Sequence, residues 1–157
     1  MHFLTKVAIG IVASNFLPPG KVEAQVIPAG TRFQCTPTAV CDGDGPIWCR
    51  EGPKLRIAGV AAREIDGTCK ATQPCPSVSG VEARDRLVRL FGGARGRRSE
   101  GHVLVRSPAM TCHSAGPAGG GRTAAWCHST AFGDLSCATV RAGGAVRWAR
   151  YWGRHLC

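Results

Sequence analysis

The sequence predicts an α+β domain, and three observations carry that reading. Short apolar or alternating stretches are separated by Gly-, Pro- and Asp-rich turns, two segments carry helix start and stop signals, and nine cysteines follow an apolar leader. Five strand-like stretches and two helices in roughly 130 residues suit a small barrel, because closure removes exposed sheet edges.

Residues 1–24 stand apart. Lys6 precedes an apolar run over 7–17, Pro18-Pro19-Gly20 breaks it, and Val22 and Ala24 occupy the third and first positions before a cut. The run is shorter than the roughly 20 apolar residues of a membrane span and is interrupted by Ser14 and Asn15. It reads as a secretory signal peptide cleaved after Ala24. The domain is then 25–157, exported to the periplasm or the medium and not inserted in a membrane after cleavage.

All nine cysteines lie beyond the cut, which agrees with an oxidising compartment. None forms a C-x-x-C pair, so a structural zinc site has little support. Disulfides are expected with one thiol left over, and Cys69–Cys75 and Cys127–Cys137 are the expected pairings.

In chain order, strands are expected over 33–40, 47–50 and 54–60, with turns at 42–46 and at Glu51-Gly52-Pro53. In the third of these, Leu55 and Ile57 share one face and Lys54 and Arg56 the other. A Thr-, Pro- and Cys-rich loop covers 65–78. Ser79-Gly80-Val81-Glu82 has the form of a capping box, and Ala83, Leu87, Leu90 and Phe91 follow at helical spacing before Gly92. The outer face of that helix is expected to carry Arg84, Asp85 and Arg89. The basic segment 95–98 reads as a solvated turn. Further strands are expected over 102–106 and 123–127, joined by a Gly-rich loop over 115–121, and Asp134 caps a last helix over 135–142.

The formal charge is +10, and without Lys6, Lys21 and Glu23 the domain keeps 18 basic against nine acidic residues, or +9. Sixteen of the 20 basic residues are Arg. A guanidinium grips phosphate through two parallel bonds, so the charge favours a polyanionic partner over an acidic one. A proteome that writes Arg for Lys would give the same count.

The chemistry concentrates between Cys41 and Glu64, in CDGDGPIWCREGPKLRIAGVAARE. Asp42 and Asp44 supply hard oxygen donors suited to Ca²⁺, and a carboxylate beside an arginine suits phosphoryl transfer. Taken alone, D-G-D-G reads as a turn, since Asp and Gly are what tight turns need.

The order of several pieces resembles the staphylococcal nuclease family. These are Val40-Cys-Asp-Gly-Asp44, Leu55-Arg-Ile-Ala-Gly-Val60 leading to Glu64, an Ala- and Leu-rich helix, Gly121-Arg122 opening a strand, and Asp134-Leu135 through Val140-Arg141-Ala142-Gly143 and Ala145. The resemblance spans 35–151. It implies a five-stranded OB-fold β-barrel with two or three helices, acting as a Ca²⁺-dependent phosphodiesterase on DNA or RNA; a monomer is expected. It also implies roles: Asp42 and Asp44 for metal, Arg56 and Arg122 for phosphate, Glu64 for activating water, and Tyr151 beside the nucleotide. Where the family has an Asp-x-Pro-Glu run, this chain has Ala61-Ala62-Arg63-Glu64, so one acidic ligand is Ala61. Gly45 stands for a Thr, 118–122 reads Ala-Gly-Gly-Gly-Arg, and Ala149 stands at the second tyrosine position. One fewer charged ligand should weaken Ca²⁺ binding.

Each residue also has a structural reading. Arg56 suits a solvated strand face, Glu64 a pairing with Arg63 or Arg122, Arg122 a cap on loop carbonyls, and Trp126, Trp148 and Trp152 a place in the core. The functional alternatives are a nuclease, a catalytically impaired OB-type domain that binds nucleic acid, and a disulfide-stapled envelope domain that keeps only the fold.

Overall fold

The structure, a computed structural model, describes residues 24–157. The expected signal segment up to residue 23 lies outside the described residues. The architecture is α+β: a mixed, curled sheet forms a half-barrel, accompanied by three helices and four disulfides.

The first expected strand divides into β1 (Arg32–Cys35) and β2 (Pro37–Val40). Pro37 has no N–H for the ladder. The Thr36 N–H and hydroxyl are instead taken by the Glu51 carboxylate at 2.7 and 2.6 Å. β3 (Ile47–Cys49) and β4 (Lys54–Ile57) complete the expected antiparallel meander. In β4, Leu55 and Ile57 are buried and Lys54 and Arg56 are half-buried, as the alternation predicts.

After β4 come β5 (Val60–Ala61) and α1 (Gly80–Leu90). The Ser79 side chain accepts from the Glu82 N–H at 3.2 Å, but the Glu82 carboxylate turns to Arg86 and Arg89 and leaves the capping box half-made. Leu87 and Phe91 are fully buried, each contributing about 1.5–3 kcal/mol relative to exposure. Arg84, expected on the outer face, is buried, and its guanidinium is held by Asp85 at 2.8 Å.

Next are β6 (Ala94–Arg97), β7 (Val103–Val105), β8 (Met110–Pro117), β9 (Thr123–Ser129) and β10 (Gly133–Asp134). Then α2 (Leu135–Arg141), β11 (Val146–Arg147) and α3 (Ala149–Trp152) close the described chain. Asp134 caps α2 as expected, accepting from the Cys137 N–H at 2.8 Å. Eleven strands among the described residues replace the five expected. The expected runs 33–40 and 54–60 are each divided, β10 and β11 are two-residue pairings, β6, read as a solvated turn, pairs with β7, and β8 forms where no strand was expected. β8 takes in the first part of the expected Gly-rich loop.

The sheet order is β1-β8-β9-β4-β3-β2-β7-β6, with β10 on β9, and β5 pairs separately with β11. Every pairing is antiparallel except β4 with β9. The inward faces enclose Val40, Ile47, Leu55, Ile57, Val103 and Met110, and α1 adds Leu87 and Phe91 to the same cluster.

Cys69–Cys75 forms as expected. The expected Cys127–Cys137 pairing does not. Cys127 stands directly opposite Cys112 across β8 and β9 and bonds to it, while Cys137 takes Cys157 and Cys35 takes Cys49. In the chain-entropy account a loop of 15 residues, that of Cys112–Cys127, is worth about 3 kcal/mol. Cys41 is the free thiol.

Candidate functional site

The turn after β2 is built for close approach. Its Asp44 N–H donates to Asp42 Oδ1 at 3.2 Å, and the Cys41 N–H to the Pro46 carbonyl at 3.0 Å. Gly43 has no room for a side chain: a Cβ there would meet Ala62 Cβ at 2.8 Å and Ala83 Cβ at 2.5 Å. Chain packing from β5 and α1 therefore presses the acidic pair inward, and both carboxylates are buried.

Asp44 is the knot of the site. Arg56 Nη1 and Nη2 donate to its two oxygens at 2.7 and 2.8 Å, and the Ala62 N–H donates to Oδ2 at 2.9 Å. The solvated-face reading of Arg56 fails, since its side chain is 12% exposed. Such a forked, charge-assisted pair ties the turn, β4 and the segment after β5 at one carboxylate. Burial pushes the Asp42 carboxyl up to about 7, with the Asp44 charge adding to it and Glu64 contributing further. Burial also raises Asp44, opposed there by Arg56 and the Ala62 N–H. The opposition leaves Asp44 as the better site for the negative charge and Asp42 for the proton.

Glu64 is positioned through its backbone. A Cβ at Gly80 would collide with the Glu64 carbonyl, so the absence of one lets the start of α1 sit against it. The Glu64 N–H donates to Thr68 at 3.0 Å, and its carboxylate meets Lys70 Nζ at 3.2 Å. Neither Arg63 nor Arg122 is that partner: Arg63 donates to the Pro76 and Gly67 carbonyls, and Arg122 to those of Gly119 and Ala118 at 3.0 and 3.2 Å. Arg122 thus does cap loop carbonyls.

A cleft of about 410 Å³ gathers Arg56, Arg122 and Tyr151 with Lys70, Gln73 and Trp148. Tyr151 is 53% exposed and meets Trp148 edge-on, with ring centroids 4.7 Å apart. Asp42, Asp44 and Glu64 do not line the cleft; Asp44 is reached through Arg56, Asp42 bonds the Asp44 N–H, and Glu64 is linked to the cleft through Lys70. Trp152 is buried as expected, Trp126 packs against the core as expected while also lining the cleft, and Trp148 lines the cleft. Lys70 and Gln73 were not singled out in the sequence, and the short Cys69–Cys75 spacing that carries them was the available signal.

The thiol of Cys41 is half-buried. Burial pushes it up, Asp42 and Glu64 add to the shift, and Arg84 and Arg122 oppose it. A protonated thiol is a poor nucleophile, so Cys41 is not a catalytic candidate.

Two carboxylates on one turn are the donor type a hard divalent cation takes. Both Asp44 oxygens, however, are held by Arg56 and the Ala62 N–H, so Asp44 takes a cation only once Arg56 turns away. Among the described residues Asp42, Asp44 and Glu64 do not bring three ligand atoms within 4.8 Å of one another. Ala61 is fully buried in β5 and adds no side-chain oxygen. A second cluster places ligand atoms of Asp134, Cys137 and His155 within 4.8 Å of one another. The Cys137 sulfur is committed to Cys157 there, so Asp134 and His155 alone remain.

Compared with known proteins, the chain matches no family model, no curated protein and no solved structure.

Proposed function

We propose that this chain is an exported, monomeric phosphodiesterase of the staphylococcal nuclease type, cutting DNA or RNA in the cleft between Arg56, Arg122 and Tyr151. The observation that carries the reading is the convergence there of two guanidiniums and the Lys70 ammonium with two aromatic rings, beside a buried acidic pair. An OB-type barrel is supported by the parallel β4–β9 pairing and by the sheet path. That path runs from β1 round to β2, and only Thr36 separates those two strands in the chain. Counted as staves, β1 with β2, then β3, β4, β9 and β8 make five.

In this mechanism the phosphodiester enters the cleft with a base against Tyr151 and Trp148. Arg56 turns its fork from Asp44 to a phosphoryl oxygen, and Arg122 leaves its loop carbonyls to hold another. Glu64, released by Lys70, accepts a proton from the attacking water as its oxygen bonds to phosphorus. The phosphorus–oxygen bond to the leaving sugar breaks, that oxygen takes a proton from solvent, and Lys70 is free to meet the phosphate charge. Asp42 and Asp44 would hold Ca²⁺, which when bound supplies further neutralisation of charge on the reacting phosphoryl group. Four disulfides are compatible with an exported protein, and among the described residues no helix is long and apolar enough to cross a membrane.

A second reading is favoured by Ala61, which supplies no ligand oxygen: a cleft that binds nucleic acid without cutting it. Incubating the oxidised protein with end-labelled single-stranded DNA, with Ca²⁺ and then with chelator, separates the two. Chelator-sensitive cleavage is the expected result; salt-sensitive binding without cleavage selects the second reading, and neither binding nor cleavage overturns both.

A further inference from the structure

We infer that the nucleic-acid path does not end at Arg56 but continues as a basic track across the outer face of β4, β3, β2, β7 and β6. The inference rests on the reading of the cleft as a nucleic-acid site and adds a second binding region to it. Lys54 shares the outer face of β4 with Arg56. Directly opposite Lys54 on β3 is Trp48, turned outward because its neighbours Ile47 and Cys49 are buried. Lys54 Nζ lies 5.8 Å and Arg98 Cζ 5.5 Å from the Trp48 ring centre, and the His102 ring lies 4.2 Å away. A half-buried tryptophan with two cations over its ring and an imidazole packed against it offers a base a stacking face once a cation swings aside to meet phosphate.

The register carries the track onward. Trp48 stands opposite Ala39 of β2, which is fully covered, Ala39 opposite the half-buried Leu104 of β7, and Leu104 opposite Gly96 of β6, so the cations at the two ends carry the track across a covered middle. All four residues of β6 are exposed, Arg95 and Arg97 among them. Arg95 and Arg106 flank a shallow hollow of about 420 Å³ with Thr38 and Leu104. Of the nearby carboxylates, Glu51 is bound by Thr36, and Glu100 sits in the exposed turn beyond β6. Four strand steps at about 4.8 Å make a track of roughly 19 Å. That length suits several nucleotides of a single strand, within the roughly 4–16 that one OB-type fold accommodates.

The test uses the whole oxidised protein, oligothymidylates of about 4 and about 16 nucleotides, and two variants outside the cleft, R95A/R97A/R98A and W48A. Affinity is read by fluorescence anisotropy without Ca²⁺ at several salt concentrations, and cleavage is read on a small chromogenic phosphodiester. Wild type should bind the longer oligomer more tightly. The triple variant should lose that advantage and lower the salt slope by about 2, three cations at about 0.7 each. W48A should weaken the longer complex by roughly fivefold or more. Both variants should keep wild-type cleavage of the small substrate; the triple variant should keep its melting temperature, and W48A, which loses a half-buried ring, should stay folded at the assay temperature by circular dichroism. If both bind the longer oligomer as wild type does, the track is refuted while the cleft reading stands. If wild type binds neither oligomer at any salt, both fail. Variant-sensitive binding to anionic vesicles without oligomer binding would reassign the surface to a membrane and refute the track.

Discussion

Replacing Asp42 by Asn should stabilise the metal-free protein above neutral pH while impairing its response to Ca²⁺. Asn keeps an oxygen for the Asp44 N–H, now 3.2 Å from Asp42 Oδ1, and removes a charge that burial disfavours. The folded-state value of about 7 lies above the ordinary value of about 3.9. Between those values the folded chain binds more protons than the unfolded chain, so the contribution of Asp42 to stability is full below about pH 4 and falls as pH rises to about 7. The difference of roughly three pH units corresponds to about 4 kcal/mol as an upper bound. D42N should therefore match wild type near pH 4 and exceed it by up to about 4 kcal/mol at pH 8.5, an upward shift in Tm of roughly 10 °C. Calorimetry of both proteins at the two pH values reads the difference directly. The same substitution halves the acidic pair, so the rise in Tm with Ca²⁺ that the proposed site predicts for wild type should largely disappear. A variant equally destabilised at both pH values would refute the claim that Asp42 is a costly buried charge.

Arg56→Met should be among the most damaging single changes, because it leaves Asp44 buried without its forked partner; urea unfolding should show a loss of about 3–5 kcal/mol, and a loss under about 1 kcal/mol would contradict that geometry. Gly80→Ala forces α1 away from the Glu64 carbonyl, so it should lower stability by about 1–3 kcal/mol and, on the proposed mechanism, reduce cleavage; unchanged stability in urea unfolding would contradict that contact. Cys41 should react slowly with a thiol reagent at neutral pH in the folded protein and rapidly on unfolding, given its half-burial and raised value; equal rates would remove the assignment.

Local patterns carried much of the fold. Leu55 and Ile57 alternate with Lys54 and Arg56, and Ser79 and Asp134 cap their helices, because a period and a cap need only a few neighbouring residues. Cys69–Cys75 was legible for the same reason, with a separation of 6. Cys112–Cys127 was not, since it depends on the register of β8 against β9. β6 was hidden because a fully exposed strand has no burial pattern, only backbone pairing to β7. At the site, the sequence marked Asp44, Arg56, Glu64 and Arg122 singly, but their engagements are long-range or loop-borne. The fork of Arg56 on Asp44, the contact of Lys70 with Glu64 and the cleft faces of Trp126 and Trp148 follow from how β4, β9 and the disulfide loop meet.

The most direct test of the proposed activity is single-turnover cleavage of single-stranded DNA by wild type and Glu64→Gln, with affinity measured in parallel. Glu64 is assigned to the water and not to the bound strand, so its loss acts on the transition state. The cleavage rate of Glu64→Gln should fall by at least about a hundredfold with DNA affinity nearly unchanged. Wild-type cleavage at an undiminished rate in Glu64→Gln would contradict the assignment of the base.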